Sequence, residues 1–128
     1  MDLLLDTCTM IWLGADPTRL SKRARAALDA DDAKLYASDA SAWELCLKWA
    51  AKKISLPDPP RRWFKDQCAV WQTERLPLDL DHFFRTSELP ALHRDPFDRV
   101  LVAQAIAHGL TVVTPDPAIH AYPVAVLW

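Results

Sequence analysis

Short apolar runs alternate with helical patterns along the whole chain of 128 residues, and this alternation restricts the fold more than any other feature. The first run, Leu3-Leu4-Leu5, is continuous, as expected for a strand buried on both faces of a parallel sheet. Further candidate strands fall at 35–37, 75–78, 110–114 and 124–127. Parallel strands are joined by helical crossovers, so the pattern predicts an α/β fold with a mostly parallel central sheet and helices on both faces.

Capping residues place the helices between these strands. Ser21 and Ser38 suit N-caps, for helices that reach about residues 30 and 52. Asp95 with Pro96 marks the start of a later helix, and Gly109 marks its end. On the helix after Ser38 the expected buried stripe consists of Ala40, Trp43, Leu47 and Ala50.

Composition excludes several classes of protein. Hydrophobic residues make up 51% of the chain and charged residues 25%, with a net charge of -2, so a module that coats nucleic acid by bulk positive charge is excluded. Only two glycines are present, too few for a Gly-rich phosphate loop. We find no linker or repeat, and expect a single domain over residues 1–128.

The ends of the chain and its cysteines suggest a location. The N-terminal apolar run is three residues long and flanked by acids, unlike a signal peptide, and no run is long enough to cross a membrane. Three cysteines without Cys-x-x-Cys spacing suggest reduced, buried thiols. We therefore expect a cytoplasmic protein.

Four acids fall where the alternation predicts convergence. Asp6 ends the first strand and Asp116 follows the strand at 110–114, and groups beyond the carboxyl ends of parallel strands line the ligand crevice. Glu44 and Asp98 lie on inward helix faces, where a carboxylate is costly to bury unless it is neutralised. Mg²⁺ or Mn²⁺ would neutralise the group, and such a site can polarise a phosphodiester and activate a water.

Each acid also has a purely structural interpretation. Asp98 suits the first turn of a helix, Asp116 suits a turn before proline, and Asp6 could end its strand for solubility. Glu44 could pair with Lys48 one helical turn later. These alternatives remain open for each acid alone, but all four acids fall on one predicted edge of the sheet.

Four segments in a fixed order carry a family resemblance. They are Leu3-Leu4-Leu5-Asp6-Thr7, Ser41-Ala42-Trp43-Glu44-Leu45, Asp95-Pro96-Phe97-Asp98-Arg99 and Thr111-Val112-Val113-Thr114-Pro115-Asp116. The chain resembles PIN-domain proteins, specifically VapC-type toxins of bacterial type II toxin–antitoxin modules. One segment alone is weakly specific, but four in this order at these spacings are a strong signal. The resemblance covers nearly the whole chain.

The resemblance implies a three-layer α/β/α PIN-like fold and an endoribonuclease dependent on Mg²⁺ or Mn²⁺. It implies a cognate VapB-like antitoxin as inhibitor and, commonly, a homodimer. The family's acidic site, catalytic and metal-binding, falls on Asp6, Glu44, Asp98 and Asp116. Supporting roles fall on Thr7 and Thr114, with Asp95 as an additional acid, and Cys8 stands where related toxins often have histidine.

Basic residues near these segments are candidate contacts for RNA phosphates. They are Lys48, Lys52, Lys53, Arg61, Arg62 and Arg94, with His93 beside the last. A solvated helix surface is the alternative for each of them.

Three rival functions make different demands on the sequence. A response-regulator receiver domain needs paired acids after the first strand, and a haloacid-dehalogenase-like phosphatase needs Asp-x-Asp there, where Cys8 takes the second place. A non-catalytic PIN-like module for RNA or protein binding is the strongest rival, and it would be expected to lose some of the four acids. Because all four are present, the sequence favours catalysis.

Overall fold

Five strands form one sheet in the computed structural model, which describes residues 1–128. The strands are β1 (Asp2–Leu5), β2 (Lys34–Ser38), β3 (Glu74–Leu76), β4 (Thr111–Val113) and β5 (Val126–Leu127). They are ordered β3-β2-β1-β4-β5 and every neighbouring pair is parallel. The predicted α/β class is therefore confirmed.

Seven helices connect the strands. They are α1 (Thr7–Ala15), α2 (Lys22–Asp29), α3 (Asp39–Ala50), α4 (Pro60–Val70), α5 (Leu80–Glu88), α6 (Pro96–His108) and α7 (Pro117–His120), with a 3₁₀ turn at Pro17–Arg19. The predicted N-caps Ser21, Ser38 and Asp95 each accept a backbone hydrogen bond from the first turn of their helix. Gly109 ends α6 in the left-handed region at φ 66°, which favours glycine. None of the helices is long and apolar enough to cross a membrane.

The central strand β1 divides the core into two layers. Leu3 and Leu5 pack with Met10 of α1 and Trp63 of α4 on one face of the sheet. Leu4 packs on the other face with α6 and α7. All three leucines have no exposed surface, which explains why their run is continuous rather than alternating.

The strand order creates a switch point at β1. The chain builds β1, β2 and β3 in one direction and then returns to place β4 on the opposite side of β1. Ligands of open parallel sheets bind at the carboxyl ends of the strands where the order reverses. Asp6 directly follows β1, and Asp116 is the third residue after β4, so both lie at this point.

A buried glutamine ties α6 to the other half of the sheet. Ser38 donates a hydrogen bond of 2.5 Å to Oε1 of Gln104, and the Gln104 amide donates to the carbonyls of Leu76 and Pro77. Gln104 has no exposed surface. The start of α3 and the middle of α6 are thereby held in register, and these helices carry Glu44 and Asp98.

The predicted buried stripe of α3 is wrong. Trp43 is 60% exposed and Leu47 is 47% exposed, whereas the buried residues of the helix are Ala40, Ser41, Glu44 and Leu45. Apolar residues occur all around α3, so hydrophobicity alone did not identify its inward face. That face includes a charged residue because it borders a cleft.

Two smaller expectations also need correction. The helix α3 ends at Ala50, so Lys52 and Lys53 lie beyond it, and Lys52 has a positive φ of 56°. Cys46 is exposed, and Cys8 and Cys68 are only partly buried, so the cysteines are not uniformly core residues. All three are free thiols, as expected.

Candidate active site

Five carboxyl groups and one ammonium line a single cleft at the switch point. We call this cleft the acidic cleft. Its volume is about 510 Å³. The charged residues that line it are Asp6, Glu44, Lys48, Asp95, Asp98 and Asp116. The four acids predicted from the sequence are therefore brought together, with Asp95 beside them.

Helix N-termini bring most of these acids to the cleft. Asp6, Asp95 and Asp116 are the N-caps of α1, α6 and α7, and each accepts a hydrogen bond from a backbone N–H of the first turn. The sequence predicts this capping role only for Asp95, and the structure shows it for Asp6 and Asp116 as well. Capping does not exclude a role in the cleft, because the same side chain can cap its helix and line the cleft. The positive ends of three helices partly offset the negative charge that collects there.

Asp6 is the most constrained of the acids. Its carboxyl accepts hydrogen bonds of 2.8 Å from the Thr9 backbone and 2.5 Å from the Thr114 hydroxyl. Burial raises the pKa of this carboxyl, and the negative charge of Asp116 adds to the rise, while the hydrogen bonds from Thr114 and Thr9 lower it. Asp6 therefore has a fixed orientation, and its charged form gains from a cation nearby.

Glu44 has the only lysine of the cleft as its partner. Lys48 Nζ lies 2.8 Å from Glu44 Oε2, one helical turn along α3, and the Glu44 side chain is 7% exposed. Partial burial lowers the pKa of Lys48, but the hydrogen bond and charge of Glu44, with Asp95 and Asp98 nearby, outweigh burial and raise it. Lys48 is thus a built-in counter-cation for several carboxylates at once.

Asp98 is hydrogen-bonded to a histidine. His93 Nε2 lies 3.1 Å from Asp98 Oδ2, and the Asp98 side chain is 16% exposed. Burial raises the pKa of Asp98 to about 6, assisted by the charges of Asp95, Asp116 and Glu44 and opposed by the hydrogen bond with His93. At neutral pH the Asp98 carboxyl is ionised, and this ionisation lowers the free energy of unfolding.

The predicted supporting residues contact the acids or their helices. Thr114 donates to Asp6 and accepts a hydrogen bond of 3.0 Å from the backbone N–H of Asp116, so one hydroxyl links two acids. Thr7 donates to Ser41 on α3, at 3.0 Å, and lines the acidic cleft. Cys8 also lines it, and burial together with the charge of Asp6 raises the pKa of its thiol to about 12.

The basic residues predicted to contact RNA are dispersed. Only Lys48 lies in the acidic cleft; Arg94 lines a neighbouring groove, and Lys52 lines a separate one. Arg61 and Arg62 begin α4, where Arg62 lies near Asp58 and Asp66. Lys53 is exposed after the end of α3.

Sequence reasoning missed the partners of Asp98. His93 bonds Tyr122 as well as Asp98, and Arg99 bonds the same tyrosine hydroxyl. The histidine and the tyrosine are 29 positions apart, so no local spacing indicates the contact. His93 was considered only as a residue that could reach RNA.

The donor set suits a hard divalent cation. No group of three or more His, Cys, Asp and Glu side chains converges tightly enough to hold a metal ion unaided. Mg²⁺, however, takes one or two carboxylates and completes its octahedron with waters and substrate phosphate. Five carboxyls facing a single ammonium provide such oxygens with charge to spare, so the residues fit the ion.

Comparison with known proteins agrees with this arrangement. The family model described as PIN domain matches residues 3–124. Ribonuclease VapC22 of Mycobacterium tuberculosis is 30% identical over 122 residues, which cover 94% of this chain and 91% of that protein. The chain therefore belongs to the PIN-domain family, among its VapC-type members.

Solved structures show the same fold. FitAcB from Neisseria gonorrhoeae is similar, with a TM-score of 0.63 and 25% identity over 97% of this chain and 95% of that chain. VapBC2 from Rickettsia felis, solved bound to a DNA fragment from their promoter, has a TM-score of 0.73 over 98% of this chain and 97% of that chain. At 16% identity the latter supports the fold alone.

Asp98→Asn is expected to stabilise the cation-free protein at neutral pH, by about 1–2 kcal/mol, because it removes a charge that burial disfavours. The native carboxyl has a pKa of about 6, above the ordinary value of 3.8 for an aspartic acid side chain. The folded state therefore binds this proton more tightly, and the contribution of Asp98 to stability is full below about pH 4 and is lost as the pH rises through about 6.

Urea unfolding in EDTA, at about pH 7.5 and about pH 4.5, measures this effect. The advantage of Asp98→Asn should be clear at the higher pH and should shrink at the lower. A variant less stable than the wild type at about pH 7.5 would show that the charge of Asp98 is not a burden on the fold.

Proposed function

We propose that the chain is a VapC-type endoribonuclease that hydrolyses RNA phosphodiester bonds with the help of Mg²⁺ or Mn²⁺. The observation that supports this most is the acidic cleft, in which five carboxyls and one ammonium gather at the switch point of a parallel sheet. Membership of the PIN-domain family and similarity to a named ribonuclease support the same activity. We place the protein in the cytoplasm.

We assign the cation to Asp6, Glu44, Asp98 and Asp116, of which one or two would hold it directly and the others through water. A divalent ion held there would neutralise charge on the phosphodiester and lower the pKa of an attacking water. Thr114 orients Asp6 and Asp116 together, since its hydroxyl bonds both residues. Thr7 steadies the position of α1 against α3, and Asp95 caps the helix that carries Asp98.

Lys48 has two successive partners in this proposal. Before a cation enters, its ammonium balances Glu44, Asp95 and Asp98. If Glu44 holds the cation, the ammonium of Lys48 would be available to bind a phosphate of the substrate. The cleft thus keeps a positive charge next to the scissile bond even though its carboxylates repel RNA.

The activity is tested with single amide substitutions of the four acids. Asp6→Asn, Glu44→Gln, Asp98→Asn and Asp116→Asn should each lower RNA cleavage by about 100-fold or more, because each removes a charge that holds the ion. Asn can still cap a helix, so Asp6→Asn and Asp116→Asn should remain folded, and the other two substitutions keep the shape of the side chain. Cleavage is followed on labelled RNA in Mg²⁺, in Mn²⁺ and in EDTA.

Asp81→Asn is the matched control, since Asp81 is an exposed acid of α5 that pairs with Arg85 outside the cleft. It should cleave like the wild type. Full cleavage in EDTA would contradict the metal dependence. RNA binding without cleavage by the wild type in either metal would favour the non-catalytic alternative.

Phosphate contact by Lys48 is tested through the salt dependence of cleavage. Lys48→Gln should raise KM and reduce the slope of log kcat/KM against log salt by about one, as expected when one phosphate contact is lost. Lys34→Gln is the control, because Lys34 is exposed and begins β2, at the opposite end of that strand from α3. An unchanged slope for Lys48→Gln would remove Lys48 from the RNA contacts. The same measurement applies to the remaining candidates, which are Lys52, Lys53, Arg61, Arg62 and Arg94.

A homodimer and an antitoxin are the proposed protein partners. Helix α5 exposes Leu80, Phe83 and Phe84, with exposed fractions of 65%, 49% and 59%, and such a cluster is typical of an interface. The structural neighbour VapBC-5 from Mycobacterium tuberculosis is a member of the VapBC family of toxin–antitoxin systems, which supports a cognate VapB-like antitoxin. A cationic antitoxin side chain in the acidic cleft would compete with the metal. Co-expression of the chain with an antitoxin encoded by the neighbouring reading frame should therefore suppress cleavage.

The dimer is expected to depend on the apolar face of α5. Phe84→Glu should convert a species of twice the 14.5 kDa chain mass into a monomer in sedimentation equilibrium, because a buried charge opposes association. Val70→Glu is the control, since Val70 is 72% exposed and lies on α4. A wild type that sediments as a monomer would contradict the dimer.

A further inference from the structure

A chain of hydrogen bonds runs from the acidic cleft into the body of the protein. Asp98 Oδ2 lies 3.1 Å from His93 Nε2, and His93 Nδ1 lies 2.7 Å from the Tyr122 hydroxyl. Arg99 Nη1 donates to the same hydroxyl at 2.8 Å. Tyr122 is 4% exposed, so its hydroxyl has little access to water. We call Asp98, His93, Tyr122 and Arg99 the relay.

The donors and acceptors of the relay follow from elementary chemistry. A guanidinium can only donate, so the Tyr122 oxygen accepts from Arg99 and its own hydrogen is free for His93 Nδ1. A neutral imidazole that accepts at Nδ1 has its hydrogen on Nε2. That hydrogen points to the Asp98 carboxylate, which can only accept when ionised.

Arg99 anchors the relay to the loop between α5 and α6. Its guanidinium also donates to the carbonyls of Thr86 at 2.8 Å and Pro90 at 2.9 Å. One residue therefore fixes the end of α5, the start of the loop and the tyrosine. His93 is held on that loop, and its ring meets Tyr122 edge to face with centroids 5.3 Å apart.

We propose that His93 is a positioning residue for Asp98, set by Tyr122 and Arg99, which holds one carboxylate oxygen so that the other faces the divalent cation. This inference rests on the proposed metal-dependent function. The bond engages Oδ2 alone, and Asp98 lines the acidic cleft, so Oδ1 is the oxygen left for the ion. Hydrogen bonds to metal-binding carboxylates tune metal affinity, and their loss typically costs 10–100-fold.

The proton arrangement is tested first, without metal. Long-range ¹⁵N–¹H NMR of the histidine rings in EDTA, at a pH where His93 is neutral, should show His93 with its hydrogen on Nε2. Tyr122→Phe removes only the hydroxyl, and should shift His93 toward a mixture of the two tautomers. Tyr36→Phe is the control, because Tyr36 lies in β2, away from the relay, and it should leave the His93 signals unchanged. A hydrogen on Nδ1 in the wild type would overturn the inference.

The effect on the ion is tested by Mn²⁺ titration, followed by electron paramagnetic resonance. His93→Phe should weaken Mn²⁺ binding by about 10-fold or more, and Tyr122→Phe by a smaller factor. His93→Gln should recover part of the affinity, since its amide can still donate to Asp98. Tyr36→Phe should bind Mn²⁺ like the wild type.

The outcomes separate this inference from the function on which it rests. Suppose that the wild type binds Mn²⁺ and that His93→Phe and Tyr122→Phe bind it with the same affinity. This result would overturn the positioning role of His93 and leave the metal site intact. No binding of Mn²⁺ by the wild type would overturn the metal-dependent function, and the inference with it.

Discussion

Mutual repulsion of carboxylates is the constraint around which this molecule is organised. Five acids share one cleft with a single lysine, and burial raises the pKa of two of them, Asp6 and Asp98. Three devices limit the repulsion in the protein alone: helix N-termini, the ammonium of Lys48, and hydrogen bonds from Thr114 and His93. None of these removes the excess charge, which makes the cleft attractive to a small, doubly charged ion.

The architecture creates this concentration of charge through connectivity. Because the strand order reverses at β1, the segments after β1 and β4 emerge side by side, although they are separated by more than a hundred residues. The helices α3 and α6, which contact each other, then deliver Glu44 and Asp98, and the Gln104 bridge holds these helices in register. A site of this kind is fixed by secondary structure rather than by long loops, which favours accurate geometry.

Much of this could be predicted from the sequence, because the determining signals are local. Continuous apolar runs gave the parallel sheet, caps gave the helix starts, and strand ends gave Asp6 and Asp116. The pairing of Glu44 with Lys48 was foreseen only as an alternative to a functional role, yet the structure places that pair inside the cleft. The two interpretations are compatible, since an internal counter-ion is what a cluster of acids needs before a metal arrives.

Other features depend on tertiary contacts that spacing does not reveal. The inward face of α3 was misassigned because Trp43 and Leu47 are apolar but exposed, while Glu44 is charged but buried. The partners of Asp98 were missed because Tyr122 reaches His93 from a distant part of the chain. In both cases the sequence contains the residues, and only the packing of one helix or loop against another decides what they meet.

The capping acids also line the cleft, and this dual role restricts which substitutions can accumulate at these positions during evolution. Asp6, Asp95 and Asp116 each stand at the start of a helix, so most replacements would damage the scaffold along with the chemistry. Descendants that abandon catalysis but keep the fold should therefore carry Asn, Ser or Thr at these three places, and lose Glu44 or Asp98 more freely.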